Sequence, residues 1–194
     1  MSKVSLDISM SLDGFVARPD DDPGPIHDWL FSGDTVSPGG GFFKTAGAST
    51  QVLNEYLETT GVIVTGRRTY DLTGGWSGNH PVGDGPVFVV THSPPDTVPD
   101  GRTSFTFVDG VQAAVEQAER AAGDKEVSVM GGASIARQCL RAGLLDEVQI
   151  HLAPVLLAKG IRLIDELEGN ELRLEPTRVL DAPGVTHLRY RVLG

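Results

Sequence analysis

Short apolar segments that alternate with helical patterns constrain the fold of this chain most strongly. The apolar segments are VIVTG at 62–66, VFVVT at 87–91, FTFV at 105–108 and VSVM at 127–130. Helical spacing is found at 51–59, 111–122 and 133–142. Continuous apolar strands between helices are typical of a mostly parallel sheet with both faces covered. The sequence therefore predicts a three-layer α/β protein, in which a twisted, mostly parallel sheet lies between helices.

The two ends of the chain predict further strands. Residues 3–10 alternate between apolar and polar side chains, and the long apolar stretch at 147–157 contains Pro154, where we expect a break. Two alternating segments at 172–180 and 185–193 are joined by the turn sequence DAPG, which predicts a C-terminal antiparallel hairpin. Asp109 is expected to cap the helix at 111–122. Stretches rich in Gly and Pro predict two long loops, at 18–49 and 73–86.

Length, charge and cysteine usage narrow the class of protein. The 194 residues predict a single domain over 1–194. A net charge of −10 argues against nucleic acid or an anionic membrane as a partner. The lone Cys139 lies in an apolar helical pattern and reads as a buried structural thiol, and with no signal-peptide pattern it favours a cytoplasmic protein. The five histidines show no ligand spacing, so we expect no metal site.

Polar and glycine residues follow three of the predicted strands. The strand VIVT is followed by Gly66, Arg67, Arg68 and Thr69. The strand VFVVT ends at Thr91 and is followed by His92 and Ser93. The strand VSVM is followed by Gly131, Gly132, Ala133, Ser134 and Ile135. Each signal alone has an ordinary alternative, since a Gly-Gly pair is often only a turn and an Arg pair is often a solvated surface. Neither G-x-G-x-x-G nor a P-loop is present. The carboxyl ends of parallel strands meet at one edge, so the three signals together predict a phosphate site there.

The residues near this edge also bear on the kind of dinucleotide. An unphosphorylated ribose is usually held by an acid, whereas a 2′-phosphate needs cations or hydrogen-bond donors. No acid follows Thr91 along the chain until Asp96, while Arg67 and Arg68 are close in sequence to the same edge. The pattern therefore favours NADP over NAD.

Four segments resemble the dihydrofolate reductase superfamily. They are SMSLDGFVA at 9–17, VIVTGRRTYDL at 62–72, VFVVTHSP at 87–94 and the segment at 129–165 that begins VMGGASIARQ. The resemblance is closer to the reductase domain of bacterial riboflavin biosynthesis, the C-terminal domain of the bifunctional deaminase-reductase. It implies a dihydrofolate reductase-like fold, an NADPH-dependent oxidoreductase that acts on a small heterocyclic or carbonyl substrate, and a homodimer.

The resemblance also implies roles for individual residues. Residues 66–69 would hold the adenosine phosphates of the cofactor, 91–93 would meet its 2′-phosphate, and 131–135 would contact the pyrophosphate. Val16 and Ala17 would line the nicotinamide. Asp13 would face the substrate and act in catalysis, although an Asp before Gly is also a common turn former. Independently of the resemblance, the aromatic residues Trp29 and Phe31 in HDWLF suggest a cover for a planar substrate ring, and anchoring of the loop in the core is equally open.

Two further observations bear on the substrate. The acid with which dihydrofolate reductases grip the pterin would fall near Thr50, so activity on dihydrofolate is less favoured. The predicted loop at 18–49 carries only two cations, Arg18 and Lys44, for a phosphorylated substrate. The alternatives to a reductase are a nucleotide-binding domain without turnover and a structural homodimeric partner.

Overall fold

The computed structural model describes residues 2–38, 41–165 and 171–193. The strands within these ranges are β1 (Val4–Ser11), β2 (Phe15–Ala17), β3 (Thr35–Val36), β4 (Lys44–Thr45), β5 (Thr60–Gly66), β6 (Val87–Val90), β7 (Phe105–Val108), β8 (Glu126–Val129), β9 (Glu147–Ala153), β10 (Ile161–Arg162), β11 (Arg173–Ala182) and β12 (Val185–Leu193). The α-helices are α1 (Ala48–Thr59), α2 (Arg67–Leu72), α3 (Val111–Ala122) and α4 (Ala133–Arg141), with 3₁₀ helices at Gly24–Leu30 and Gly74–Gly78. None of the helices in this part of the chain has the length and apolar character that a membrane crossing requires.

Eight strands form the main sheet, in the order β11-β12-β9-β1-β8-β5-β6-β7. Strand β5 pairs in parallel with both β6 and β8, and β6 pairs in parallel with β7. At the other end, β12 pairs antiparallel with β9 and β11. The predicted fold class, a mostly parallel α/β sheet with a C-terminal antiparallel hairpin, is confirmed.

Within residues 1–194, predicted as a single domain, the chain forms two compact units. The first comprises Met1–Ser5 and Thr59–Asp146, and the second comprises Leu6–Glu58 and Glu147–Gly194. A cluster in the first unit packs Tyr70 against the apolar strands β5 and β6. In the second unit, Trp29 packs against Ala182 and Val185 at the turn of the hairpin.

The end of β9 agrees with the sequence prediction, and the cap of α3 does not. Strand β9 ends at Ala153, directly before Pro154, as the missing N–H of proline predicts. Helix α3 is preceded by Gly110, at φ +90°, and no side chain caps it, so the predicted cap at Asp109 is wrong. The Asp109 carboxylate instead contacts the imidazole of His92.

The predicted loop at 73–86 is fastened to the chain around residue 103. Gly78 accepts a hydrogen bond from the Thr103 amide at 3.0 Å, and the His80 amide donates to the Thr103 hydroxyl at 2.8 Å. His80 is 2% exposed. Trp76 and Ser77 lie in the left-handed region, at φ +48° and +50°, which is a costly conformation for residues other than glycine. These contacts describe an anchored connection.

Candidate functional site

Two glycine-containing strand–helix junctions pack against each other in the first unit. Strands β5 and β8 are parallel neighbours, with Val64 opposite Val129; β5 runs directly into α2 at Gly66, and the loop at 130–132 leads from β8 into α4. A Cβ atom added to Gly66 would lie 2.8 Å from Ile135 Cγ1. This separation is shorter than the contacts that real Cβ atoms make, so Ile135 can approach residue 66 this closely only because glycine has no side chain.

The glycine pair that precedes α4 combines close packing with an unusual backbone. Gly131 and Gly132 have φ +80° and +89°, which other residues rarely adopt. A Cβ at Gly131 would lie 2.7 Å from Thr69 Cγ2, and one at Gly132 would lie 3.3 Å from the Thr69 hydroxyl. The pair is therefore required by conformation and by space, and it brings residues 131–132 against Thr69.

The start of α4 is suited to an anion. No side chain caps the helix, and its first internal hydrogen bond runs from the Ala136 amide to the Gly132 carbonyl at 3.3 Å. The amides of Ala133, Ser134 and Ile135 thus have no acceptor within the helix. Such donors, aligned with the helix dipole, attract phosphate groups.

Thr65, to which the sequence analysis assigned no role, has a buried hydroxyl that is unpaired within the described part of the chain. Its side chain is 0% exposed, and its hydroxyl has no hydrogen-bond partner among the residues that the structure describes. The hydroxyl would lie 2.9 Å from a Cβ on Gly131. A buried hydroxyl without a partner is uncommon in folded proteins. Its signal in the sequence is modest: a threonine at the end of an apolar strand, directly before Gly66.

Arg67 ties the first loop to the one that follows β6. Its Nε donates to both oxygens of Asp71, at 2.8 and 3.0 Å, and its guanidinium also donates to the Ser93 carbonyl. The Thr91 hydroxyl accepts a hydrogen bond from the Ser93 amide at 3.1 Å. The predicted residues 66–69 and 91–93 are therefore brought together. The charge of Arg67 is balanced by Asp71, and the neighbouring Arg68 is exposed.

An acid that the sequence reasoning missed stands next to His92. Val90 and Val108 are opposite each other at the ends of β6 and β7, so the next residues of the two strands meet. The imidazole of His92 contacts the carboxylate of Asp109, and both side chains are largely exposed. Asp109 lies 18 positions after Thr91, beyond the first acid along the chain, Asp96. The pattern FTFV followed by an aspartate was the available signal, since β7 ends at the same edge as β6.

Asp13 lies in the second unit, in the turn between β1 and β2. Its carboxylate accepts hydrogen bonds from the Ser11 hydroxyl at 2.6 Å and from the amides of Leu157 and Ala158 at 3.1 and 2.7 Å. The Ser11 hydroxyl in particular, together with the two amides, lowers the pKa of Asp13 below its usual value. The carboxylate is therefore held ionised and works as an acceptor. The half-buried Val16 and Ala17 follow on β2, which pairs with β10.

Arg162 is a cation that the sequence reasoning did not place near Asp13. Its guanidinium carbon lies 4.5 Å from the centroid of the Phe15 ring, and its NH1 donates to the Asp13 carbonyl at 3.3 Å. Arg18, the cation expected in this region, forms an ion pair with Asp22. Local sequence could not show the approach of Arg162, because 149 positions separate it from Asp13.

Trp29 does not lie on an open surface. It is 4% exposed, and its indole N–H donates to the Ser9 hydroxyl at 3.1 Å. Its ring packs against His151 and His187, with centroids 4.7 and 5.0 Å apart. The prediction that Trp29 covers a substrate ring does not fit this placement. The other possibility, that it anchors its loop in the core, describes it.

Neither a reactive thiol nor a metal centre is found among the residues that the structure describes. Cys139 is 0% exposed, and burial raises the pKa of its thiol to about 12, so it is inert at neutral pH. Among residues 2–38, 41–165 and 171–193, no cluster of three or more His, Cys, Asp or Glu side chains is arranged to hold a metal ion.

The mostly parallel sheet with its C-terminal antiparallel hairpin and its close-packed glycine junctions defines the chain as an α/β protein. The sequence model of the RibD C-terminal domain matches residues 2–188, and the chain belongs to that family. The expected relation to the reductase domain of riboflavin biosynthesis is thereby confirmed.

Individual relatives agree with this assignment over most of the chain. The uncharacterised protein YwjB of Bacillus subtilis is 28% identical over 177 residues, which are 91% of each chain. The crystal structure of a protein from Shewanella sp. PV-4 that is assigned to riboflavin biosynthesis matches with a TM-score of 0.71 at 24% identity and covers 100% of both chains. The riboflavin biosynthesis reductase Rib7 of Saccharomyces cerevisiae matches with a TM-score of 0.57 at 14% identity, over 99% of this chain and 90% of that one. At these identities the solved structures support the fold.

Proposed function

We propose that this chain is an NADPH-dependent reductase of a small heterocyclic or carbonyl substrate. The reaction would resemble that of the 5-amino-6-(5-phosphoribosylamino)uracil reductases of its family. The observation that carries the proposal is the close packing of the β5–α2 junction against the β8–α4 junction, where Gly66 lies against Ile135 and Gly131 and Gly132 lie against Thr69. Family membership supports the same conclusion.

The residues of the first unit fit a dinucleotide. The positive φ of Gly131 and Gly132 and their missing side chains let residues 131–132 pack against Thr69, and the amides of residues 133–135 are donors for the pyrophosphate oxygens. Thr69 and Arg68 would hold the adenosine phosphates, with Arg67 fixing the loop through Asp71 and Ser93. The bound cofactor would supply a hydride.

The preference between NADPH and NADH would depend on the loops after β6 and β7. The family resemblance implies that Thr91, His92 and Ser93 meet the 2′-phosphate; in the structure the Ser93 amide donates to the Thr91 hydroxyl and His92 contacts Asp109, so the phosphate would replace these partners. The carboxylate of Asp109 beside His92 opposes a second negative charge. We therefore expect a preference for NADPH that Asp109 reduces.

The substrate end of the proposal rests on the second unit. Asp13 is ionised, so it would orient a substrate by accepting a hydrogen bond from an N–H or O–H group. The proton that accompanies a hydride would then come from another donor, such as a held water. Arg162 is an exposed cation, which suits a phosphate group on the substrate.

Binding of the two cofactors tests the proposal directly. Titration with NADPH and with NADH, followed by nicotinamide fluorescence, should give tighter binding of NADPH. Gly131→Ala should weaken NADPH binding by at least about tenfold, because the new methyl group would collide with Thr69 and Thr65 and displace the backbone beside the proposed phosphate position. Gly143→Ala is the matched control, since Gly143 also has a positive φ of +63° but its added Cβ meets nothing within 4 Å. Equal loss in both variants, or no binding of either cofactor, would overturn the proposal.

A nucleotide-binding protein without turnover is the second candidate, and one observation favours it. The oxygens of Asp13 already accept hydrogen bonds from Ser11, Leu157 and Ala158, which is what a purely structural turn residue does. Consumption of NADPH with ribosylaminopyrimidine phosphates, small carbonyl compounds and dihydrofolate separates the two. A reductase oxidises NADPH with at least one of these classes, whereas a binding protein binds NADPH and oxidises it with none.

A further inference from the structure

The proposed reaction does not use a chain of four polar side chains in the second unit. The Ser49 hydroxyl lies 2.8 Å from His187 Nε2, His187 Nδ1 lies 2.7 Å from His151 Nδ1, and His151 Nε2 lies 3.1 Å from Asp7 Oδ1. Ser49, His187 and His151 are 1%, 3% and 4% exposed. The four residues come from α1, β12, β9 and β1, so the chain of hydrogen bonds joins four separate elements.

The surroundings leave little access for water. The two imidazoles are direct register partners on β12 and β9, and the Trp29 ring packs against both. The second oxygen of Asp7 accepts a hydrogen bond from the Gln149 amide at 2.8 Å. The hydrogens within the chain must therefore be supplied by the four side chains themselves.

One order of hydrogens satisfies every link when both imidazoles are neutral. The Asp7 carboxylate only accepts, so His151 Nε2 carries a hydrogen and His151 Nδ1 carries none. His187 Nδ1 must then carry the hydrogen between the two rings, which leaves His187 Nε2 as an acceptor. The Ser49 hydroxyl donates to that nitrogen. His187 is thus the Nδ1–H tautomer, and His151 is the Nε2–H tautomer.

A second order satisfies the same links with one proton more. His151 becomes an imidazolium, which donates from Nε2 to Asp7 and from Nδ1 to His187. His187 then carries its own hydrogen on Nε2 and donates to the Ser49 oxygen. The Ser49 hydrogen turns toward a backbone carbonyl of the preceding turn, as serine in a first helical turn is able to do. A second added proton would place two hydrogens between the facing Nδ1 atoms, so the chain accepts one proton only.

We propose that Ser49, His187, His151 and Asp7 form a buried proton relay, in which His151 stores one proton as an imidazolium beside the Asp7 carboxylate. When it does so, the hydrogen bonds from His151 to His187 and from His187 to Ser49 reverse. The proton comes from solvent, no covalent bond other than N–H and O–H bonds changes, and the site gains one positive charge beside the Asp7 carboxylate. Protonation is thereby linked to how α1 is held through Ser49. The inference does not depend on the cofactor.

Charged groups on the neighbouring elements set the threshold for proton uptake. Asp7 on β1 favours the charged relay, whereas Arg178 on β11 disfavours it. His27 in the first 3₁₀ helix also faces the relay: burial, and then the proximity of His151, lowers the pKa of His27, so it stays neutral alongside the relay. Burial, and then the neighbouring His151, lowers the pKa of His187 to about 4, which disfavours a charge on the His187 ring.

Nitrogen NMR of the full chain labelled with ¹⁵N-histidine tests the relay, because the tautomers give different coupling patterns. At neutral pH we expect His187 as the Nδ1–H tautomer and His151 as the Nε2–H tautomer. On acidification, His151 should become charged while His187 changes to the Nε2–H tautomer in the same step. Asp7→Asn should move this step to lower pH by about one to three units, because it removes the charge that holds the proton.

Two controls keep the result interpretable. Asp20→Asn removes the same charge at an exposed position of the same unit and should leave the step unchanged. Ser49→Ala removes only a hydroxyl and should perturb the His187 Nε2 signal, whereas Thr50→Ala on the same helix should not. A His187 that is the Nε2–H tautomer at neutral pH, or two histidines that charge independently, would contradict the relay, and so would an Asp7→Asn step that does not move.

Discussion

The glycine loops of the first unit and the buried relay of the second unit place polar groups in opposite ways. Around Gly66, Gly131 and Gly132, side chains are missing, and the polar groups on offer are backbone amides. In the relay, the backbone is already paired in β9 and β12, and imidazole, hydroxyl and carboxylate groups supply the polar contacts. The first arrangement leaves donors for a ligand, whereas the second satisfies its own donors and acceptors. The free amides at the start of α4 are therefore the groups that we propose for ligand binding, and the satisfied chain of side chains is the group that we propose for proton storage.

The largest expected effect comes from breaking the packing around the relay. Trp29→Ala should lower the free energy of unfolding by about 3–5 kcal/mol, because it empties a large buried site and removes the partner of Ser9. Urea denaturation followed by circular dichroism measures the change. Leu156→Ala, at a side chain that is 70% exposed, should change stability by less than about 0.5 kcal/mol. Similar losses in both variants would show that Trp29 is not part of a packed core.

The glycine loops should respond next. Gly131→Ala should cost roughly 2 kcal/mol of stability, from the left-handed backbone and from the close approach of Thr69. Gly143→Ala shares the backbone cost but not the contact, so it should cost about 1 kcal/mol. Thermal or urea unfolding of the two variants measures the difference. If Gly143→Ala is the more damaging, the loops are not closely packed.

Acid should weaken the first unit through His80. Burial lowers the pKa of His80 to about 4 from an ordinary value of 6.5. Between these values the unfolded chain binds a proton that the folded chain does not. Stability is therefore fully present above pH 6.5 and is lost as the pH falls toward 4, by about 1.4 kcal/mol per unit of pH.

Unfolding measured at several pH values with the His80→Asn variant tests this account. Asparagine retains an acceptor for the Val82 amide, which bonds to His80 Nδ1 at 3.2 Å, but it does not titrate. The variant should show a shallower loss of stability with acid than the natural chain. An identical slope in the two proteins would mean that His80 is not responsible.

The smallest effect is expected at the exposed pair of His92 and Asp109. Asp109→Asn should raise the preference for NADPH over NADH by roughly threefold, because it removes a screened negative charge beside the proposed 2′-phosphate position. Fluorescence titration with both cofactors measures the ratio. A ratio that falls, or one that rises equally in Asp96→Asn, would remove Asp109 from cofactor selection.

The strands, their alternation with helices and the glycine loops were predictable because each depends on a local pattern. Val62, Val87 and Val127 lie in apolar runs, and Gly131 follows one directly. The approach of Asp109 to His92 needed the register of β6 against β7. The approach of Arg162 to Asp13 needed the pairing of two very short strands.

The relay was beyond local reasoning for the same reason. His151 alone reads as a satisfied residue inside an apolar strand, and its burial agrees with that interpretation. Its partners Asp7, His187 and Ser49 are spread over the whole chain. Only the antiparallel register of β12 with β9 places the two imidazoles face to face.

We propose above that Gly131, Gly132 and the start of α4 hold the pyrophosphate of NADPH. A crystal structure of the protein grown with saturating NADPH tests it most directly. We expect pyrophosphate oxygens within hydrogen-bond distance of the amides of residues 133–135 and adenosine phosphates beside Thr69. A nucleotide bound elsewhere on the chain, or a crystal that contains none although NADPH is saturating, would contradict it.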